Sequence, residues 1–249
     1  MPVVIAPPRG GPILIDTEDL RQEAFSSFGT VIENPRPSLV PTPHLKELPP
    51  NAVQANQGTA LKYLDVTFMR DLYHSAPSGA SAKAVMNMFV CAPRKLIPSQ
   101  GVGNIEGLLP IEILERHPYT TQTFIPLGIS PSDAHEARYL VIVAPSLPPS
   151  AADSSLPVPE ESSFPGRGLP DLTKIRAFVA KGSQAVTYGA GSWHAPMIVV
   201  GSKPIDFVVV QFANDVGIED CQEVKWDGQK GGISVAVPGL ERDRLAWKL

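Results

Sequence analysis

Proline and glycine constrain this chain more than any other feature of its sequence. Of 249 residues, 27 are proline and 20 are glycine. Both interrupt helix interiors, proline because it lacks an N–H and clashes with the preceding turn, glycine because ordering it costs more backbone entropy. A chain so punctuated is expected to fold as short strands joined by turns, with a few short helices. Its length is enough to bury a proper core, and no internal repeat divides it. We therefore expect a single all-β domain over residues 1–249.

Charge is nearly balanced, with 21 Lys and Arg against 25 Asp and Glu, and the basic residues are scattered rather than blocked. Nucleic acid and acidic membrane surfaces are accordingly not expected as partners. The two cysteines, Cys91 and Cys221, have neither CxxC spacing nor the density of a secreted disulfide scaffold, which points to a reducing, cytoplasmic setting. Val3, Val4 and Ile5 begin an apolar run that Pro7, Pro8 and Arg9 end, short of a signal sequence. No segment approaches the ~20 apolar residues of a membrane-spanning helix.

In chain order, residues 13–15 read as a strand. Asp16 or Thr17 then caps an expected helix whose apolar positions Leu20, Ala24, Phe25 and Phe28 recur at helical spacing until Gly29. Residues 30–33 restart strand character, and the proline-rich run 35–50 is expected as an exposed loop. Further strands are expected at 85–91, 111–116, 123–127, 138–143, 204–212 and 233–238, with R-Y-L-V-I-V at 138–143 buried. Residues 145–170 shift to Pro, Ser, Ala and Glu with few large apolar side chains, and are expected as an exposed insertion, an ordered lid being the alternative. Asp171 is expected to cap a helix over 172–180, residues 214–222 to form an acidic loop, and residues 240–249 to add a short helix.

Two stretches concentrate the chemistry. Residues 186–201 read V-T-Y-G-A-G-S-W-H-A-P-M-I-V-V-G, strand character broken by a glycine-rich turn and resumed at Trp193 and His194. Strand alternation sends Trp193 and His194 to opposite faces, so an indole packed on one side directs the imidazole to the other. Residues 112–128 read E-I-L-E-R-H-P-Y-T-T-Q-T-F-I-P-L-G. Glu115 and His117 stand two apart, hence on one face of an extended segment, and Gln122 begins the next strand. A lone histidine is most often a hydrogen-bonded core residue. Two histidines, a glutamate and a glutamine on neighbouring strands suggest a site instead. The spacing resembles the two motifs of the cupins, small β-barrels or jelly rolls. Glu115 stands for the first histidine of the His-x-His motif, His117 for the second, Gln122 for the acid, and Gly191 to His194 for the second motif.

Several segments together resemble the ureidoglycolate lyase family, cupin-fold enzymes of allantoin breakdown. They are L-E-R-H-P at 114–118, T-Q-T-F-I-P-L at 121–127, P-D-L-T-K-I-R-A-F at 170–178, W-H-A-P at 193–196 and D-F-V-V-V at 206–210. They follow the family order over roughly residues 55 to 225. Ala195 stands where a second histidine often follows the first, a Gly-Ala-Gly turn replaces a more polar one, and the Pro/Ser-rich segment is extra, as in a fungal-type version.

The resemblance implies elimination of urea from ureidoglycolate to leave glyoxylate. Such a reaction needs no covalent nucleophile, and the sequence has no Gly-x-Ser-x-Gly elbow. The site must take the hydroxyl proton, protonate the leaving nitrogen and hold a carboxylate. Glu115, His117 or His194 is expected to act as base, and Lys62 or Arg116 to anchor the carboxylate. Tyr63 and Gln122 are expected to bind the ureido group, and Asp65 to end a strand or line the site. The set Glu115, His117 and His194, with Gln122 as a weak fourth donor, suits a divalent metal such as Ni, Mn, Fe or Zn. The family is associated with nickel, and the resemblance also implies a homodimer. Other readings are a non-catalytic cupin that binds a small metabolite, and a metal-dependent cupin isomerase or dioxygenase.

Overall fold

The computed structural model describes residues 2–7, 11–99, 104–130, 133, 136–161, 164–226 and 232–240. Its strands are β1 Val3–Ile5, β2 Ile13–Asp19, β3 Gly29–Ile32, β4 Ala52–Ala55, β5 Ala60–Tyr63, β6 Lys83–Cys91, β7 Ile105–Ile111, β8 Ile113–Arg116 and β9 Gln122–Leu127. They continue with β10 Arg138–Ala144, β11 Arg176–Lys181, β12 Ala185–Tyr188, β13 Trp193–His194, β14 Ile198–Val200, β15 Ile205–Ala213, β16 Gln222–Trp226 and β17 Ile233–Pro238. Two one-turn helices, α1 Gln22–Phe25 and α2 Gly217–Asp220, join them. Strands make up 43% of the structure and helix 9%, so the fold is all-β, a curled half-barrel of the cupin kind. No helix of the described residues is long and apolar enough to cross a membrane.

Ten strands form a curled sheet in the order β1-β16-β8-β13-β10-β11-β2-β17-β7, with β14 also paired to β10. Facing it is a five-stranded sheet in the order β3-β12-β9-β15-β6. Strand β10 lies between two cores. Its Tyr139, Val141 and Val143 pack toward the five-stranded sheet with Phe124, Tyr188 and Phe207, while Leu140, Ile142 and Ala144 join the second core with Leu114, Trp193 and Val235. That double burial is why R-Y-L-V-I-V reads as a continuous apolar run rather than an alternating one.

Three expectations are corrected. The helix expected near Leu20 to Phe28 shrinks to α1, and Asp16 and Thr17 belong to β2, which pairs with β11 and β17 instead of capping a helix. Asp171 does cap, its carboxylate accepting from the Thr173 N–H at 3.1 Å, but only one turn follows. Residues 176–181 then pair with β10 as β11, since sheet pairing buries Ala177, Phe178 and Ala180 and overrides local helix preference.

The third concerns residues 145–170, whose described part exposes residues 147–152, in keeping with an exposed segment, but is also anchored to the protein. Leu156 and Leu169 are buried in the second core, and the ends of the segment are joined by Leu147 N–H to Leu169 O and Asp171 N–H to Pro145 O. The carbonyl of Gly168 accepts from Trp193 Nε1 and Arg116 Nη1, both at 3.1 Å. Sparse apolar residues suffice here because backbone carbonyls, invisible to a composition count, make the contacts. Of the expected helix at 240–249, residues 241–249 lie outside the described residues.

Candidate active site

Strand β8 is paired to β13 with Glu115 opposite His194, and to β16 with Glu115 opposite Glu223. Side chains alternate along these strands. Arg116 and Trp193 therefore turn into one core, the guanidinium 4.5 Å over the indole, while Glu115 and His194 turn to the other side. His117 follows on from β8, and its carbonyl accepts from Gly191 N–H at 2.9 Å, tying the glycine turn to the site. Only glycine fits at position 191. Its φ is +80°, and a Cβ there would stand 2.1 Å from the Phe164 ring.

The two imidazoles converge, their centroids 5.6 Å apart, with His194 stacked at 3.9 Å on Tyr188. Ligand atoms of Glu115, His117 and His194 all lie within 4.8 Å of one another. His117 Nδ1 sits 2.6 Å from the Asp220 carbonyl and His194 Nδ1 3.2 Å from the Ala195 carbonyl. A carbonyl can only accept, so each Nδ1 carries the hydrogen and each Nε2 keeps its lone pair. Both Nε2 atoms are buried and without a partner.

A cavity of about 270 Å³ opens over Glu115 and His117, lined also by Asn87, Gln122 and Gln211 and by apolar Phe89, Phe124 and Val209. A larger cavity of about 350 Å³ near Lys174 and Arg176 lacks such chemistry, because Lys174 is paired with Asp171 and Arg176 with Glu18.

Burial sets the protonation of the site. It raises the Glu115 carboxyl to about 7, with Glu223 adding to the effect. Burial lowers His117, and burial together with the neighbouring His117 takes His194 down to about 3. Near neutrality the imidazoles are neutral and the carboxyl is poised to exchange a proton. Cys221, 4.0 Å from Glu115, is pushed up to about 12 by burial and by Glu115, so its thiol stays protonated.

A stability prediction follows for the protein kept free of divalent ions. From pH 4.5 to about 7 the folded state holds a proton on Glu115 that the unfolded chain has lost, so stability from this group falls as pH rises. From pH 6.5 down to about 3 the unfolded chain holds a proton that folded His194 refuses, so stability from this group falls as pH drops. Between pH 4.5 and 6.5 the two effects oppose each other. Glu115→Gln removes one of them. Urea denaturation of that variant over this window should show stability falling with acidification more steeply than in the wild type, by about 1.4 kcal/mol per pH unit. Parallel slopes would contradict the assigned protonation states.

The expected site residues divide. Glu115, His117 and Gln122 line one cavity, and His194 lies behind its wall, with a ligand atom within 4.8 Å of those of Glu115 and His117. Arg116 does not line it. It is fully buried in the second core, donating to Gln222 Oε1 at 2.8 Å and to the carbonyls of Gly166, Arg167 and Gly168. Lys62 and Tyr63 sit on the separate β4/β5 hairpin and are absent from the cavity lining, as is Asp65, which takes φ +53° just after β5. Asn87 and Gln211 belong to the lining and were not anticipated. Each was visible as a lone amide in an otherwise apolar strand, M-N-M in β6 and V-Q-F in β15.

The loop at 214–222 was also underestimated. Its Glu219 is buried and bonded to Ser78 N–H, Ser78 Oγ and Asn214 Nδ2, and its Asp220 carboxylate accepts from Tyr73 OH at 2.7 Å. These bonds hold the Asp220 carbonyl that fixes the His117 tautomer.

Comparison with known proteins agrees with this geometry. The family model described as ureidoglycolate lyase matches residues 12–231. The chain belongs to the ureidoglycolate lyase family. It is 36% identical over 209 residues to a ureidoglycolate lyase of Schizosaccharomyces pombe, covering 84% of this chain and 89% of that one. A Saccharomyces cerevisiae ureidoglycolate lyase is 33% identical over 218 residues, covering 85% and 93%. One from Burkholderia mallei is 30% identical over 203 residues, covering 81% and 84%. Family membership therefore spans the strands that carry Glu115, His117, Gln122 and His194.

Proposed function

We propose that this chain is a ureidoglycolate lyase that eliminates urea from ureidoglycolate and leaves glyoxylate, as a step of allantoin breakdown. The observation that carries the reading is the convergence of Glu115, His117 and His194 within 4.8 Å at the edge of one cavity in a chain belonging to this family. The substrate carbon bears a hydroxyl, a ureido nitrogen and a carboxylate. As the O–H proton leaves, the oxygen lone pair forms the C=O bond and the C–N bond breaks, and the urea nitrogen takes up a proton. Glu115, raised to about 7, can accept the first proton and return one to the nitrogen. Buried Phe124 and Val209 give the cavity an apolar wall, which lowers the number of waters that can reach the reacting atoms. His117 and His194 are held rigid, one by the Asp220 carbonyl and the other by Tyr188 and the Ala195 carbonyl.

The donor set fits a divalent ion. Each imidazole keeps a buried, unpartnered Nε2, Glu115, His117 and His194 each bring a ligand atom within 4.8 Å of the others, and no lysine or arginine lines the cavity among the described residues. Held by Glu115, His117 and His194, such an ion would supply Lewis-acid polarisation of the substrate hydroxyl and a positive charge for the carboxylate. A carboxylate has two oxygens, so ligation through one leaves the other for the proton.

We further read the chain as a single domain, cytoplasmic and homodimeric. The outer face of the five-stranded sheet supports a dimer. There Met86, Met88 and Val90 of β6 are 75%, 62% and 71% exposed, beside Ile125 and Leu127 of β9. An apolar sheet face this open favours burial against a second copy. The free thiols Cys91 and Cys221 support a reducing compartment.

The test is to incubate the purified protein with ureidoglycolate and measure urea and glyoxylate together. Equal amounts are expected, with activity falling on chelation and returning with a divalent ion, which should also raise the melting temperature. Ammonia in place of urea would indicate an amidohydrolase. No product would leave a binding protein.

A further inference from the structure

Besides Glu115, His117 and the Cys91 thiol, the polar groups lining the cavity are three carboxamides, Asn87, Gln122 and Gln211. Strand register places them. Gln211 of β15 follows Val209, which is opposite Asn87 of β6 and Phe124 of β9, so these side chains share the inner face of the five-stranded sheet. Gln122 opens β9 on that same face, two residues before Phe124.

Gln122 Nε2 donates to Gln211 Oε1 at 2.7 Å. The other end of the Gln122 amide, Oε1, is buried without a partner, and the Gln211 NH2 donates to no acceptor among the described residues. Exchanging oxygen and nitrogen in both amides alters which residue bears which atom but not the outcome. One free carbonyl and one free NH2 always remain. The buried Gln122 carbonyl left unpaired costs about 1–3 kcal/mol, and the NH2 of half-buried Gln211 beside it faces the cavity, so the pair is shaped for a guest that completes it.

The guest must offer both a donor and an acceptor on a planar group. A ureido group does, since its NH2 can meet the free carbonyl and its C=O the free NH2. A carboxylate does not, because it has acceptors only and would be repelled by that carbonyl.

We propose that the Gln122–Gln211 pair, with Asn87 at the rim, is the subsite that recognises the ureido end of the substrate, Gln211 and Asn87 being specificity-determining residues for the reaction. The inference rests on the lyase reading above, and orients the substrate with its hydroxyl and carboxylate toward Glu115, His117 and His194. The ureido nitrogen that leaves then lies between the two halves of the cavity.

Product inhibition separates the ends, since urea reports on the carboxamide subsite and glyoxylate on the other. In Gln211→Leu the KM for ureidoglycolate and the inhibition constant for urea are expected to rise about 10- to 100-fold, while that for glyoxylate changes less than about twofold. A parallel loss of both products' affinity, or unchanged urea inhibition, would overturn the assignment. Should Gln211→Leu not fold, Asn87→Ala on the exposed rim carries the same test, with an expected rise of about 3- to 10-fold for urea alone. Failure of the lyase reading is distinct. The wild type would then release no urea from ureidoglycolate, and calorimetric titration of wild type and variant with urea and with glyoxylate would still show whether the carboxamides select a ureido group.

Discussion

His194→Ala is expected to lower kcat/KM on ureidoglycolate by about a thousandfold or more. In the proposed reaction the imidazole belongs to the cluster at the substrate hydroxyl, and a positioned acid, base or ligand group contributes about 10²–10⁴-fold. The change is also expected to cost stability. His194 is 1% exposed and lies between the Tyr188 ring at 3.9 Å and the His117 ring at 5.6 Å, so truncation opens a gap in a packed stack. A loss of about 1–3 kcal/mol is expected, within the range of core truncations. Steady-state kinetics at a temperature where circular dichroism shows the variant folded separates the two effects. Turnover within tenfold of wild type in that folded sample would remove His194 from the chemistry.

Arg116→Leu is expected to cost about 3–5 kcal/mol of stability and to leave the KM of the folded enzyme within about twofold. The guanidinium is fully buried, stacked 4.5 Å over Trp193, and gathers Gln222 and the carbonyls of Gly166, Arg167 and Gly168. Burial lowers its pKa to about 10, yet it stays charged near neutrality. Leucine would strand three carbonyls and an amide away from water, and would release residues 164–170 from β8. Denaturant unfolding measures the first effect and substrate kinetics the second. A KM raised tenfold in a fully folded variant would restore Arg116 to the role of carboxylate anchor.

Arg116 also marks where sequence reasoning stopped. Its neighbours Glu115 and His117 share one cavity, and the same two-residue period that joins them turns Arg116 to the other face. Lys62 and Tyr63 were chosen for chemical type, and the β4/β5 hairpin that carries them pairs with neither large sheet. Asn87 and Gln211 were passed over although each interrupts an apolar run, because a single amide in a strand says nothing of where that strand goes.

By itself the sequence determined that the protein is all-β, where several of its strands lie, Arg138–Ala144 among them, and that Trp193 and His194 part to opposite faces. Those properties follow from proline, glycine and strand period, and are local. Only the tertiary structure decided that Glu115 stands opposite His194, that two amides close into a pair, and that the Pro/Ser-rich segment is bound by backbone carbonyls. Each depends on strand order between residues as many as 89 apart in the chain, as with Gln122 and Gln211, and pairing over such distances is selected by burial of the whole core.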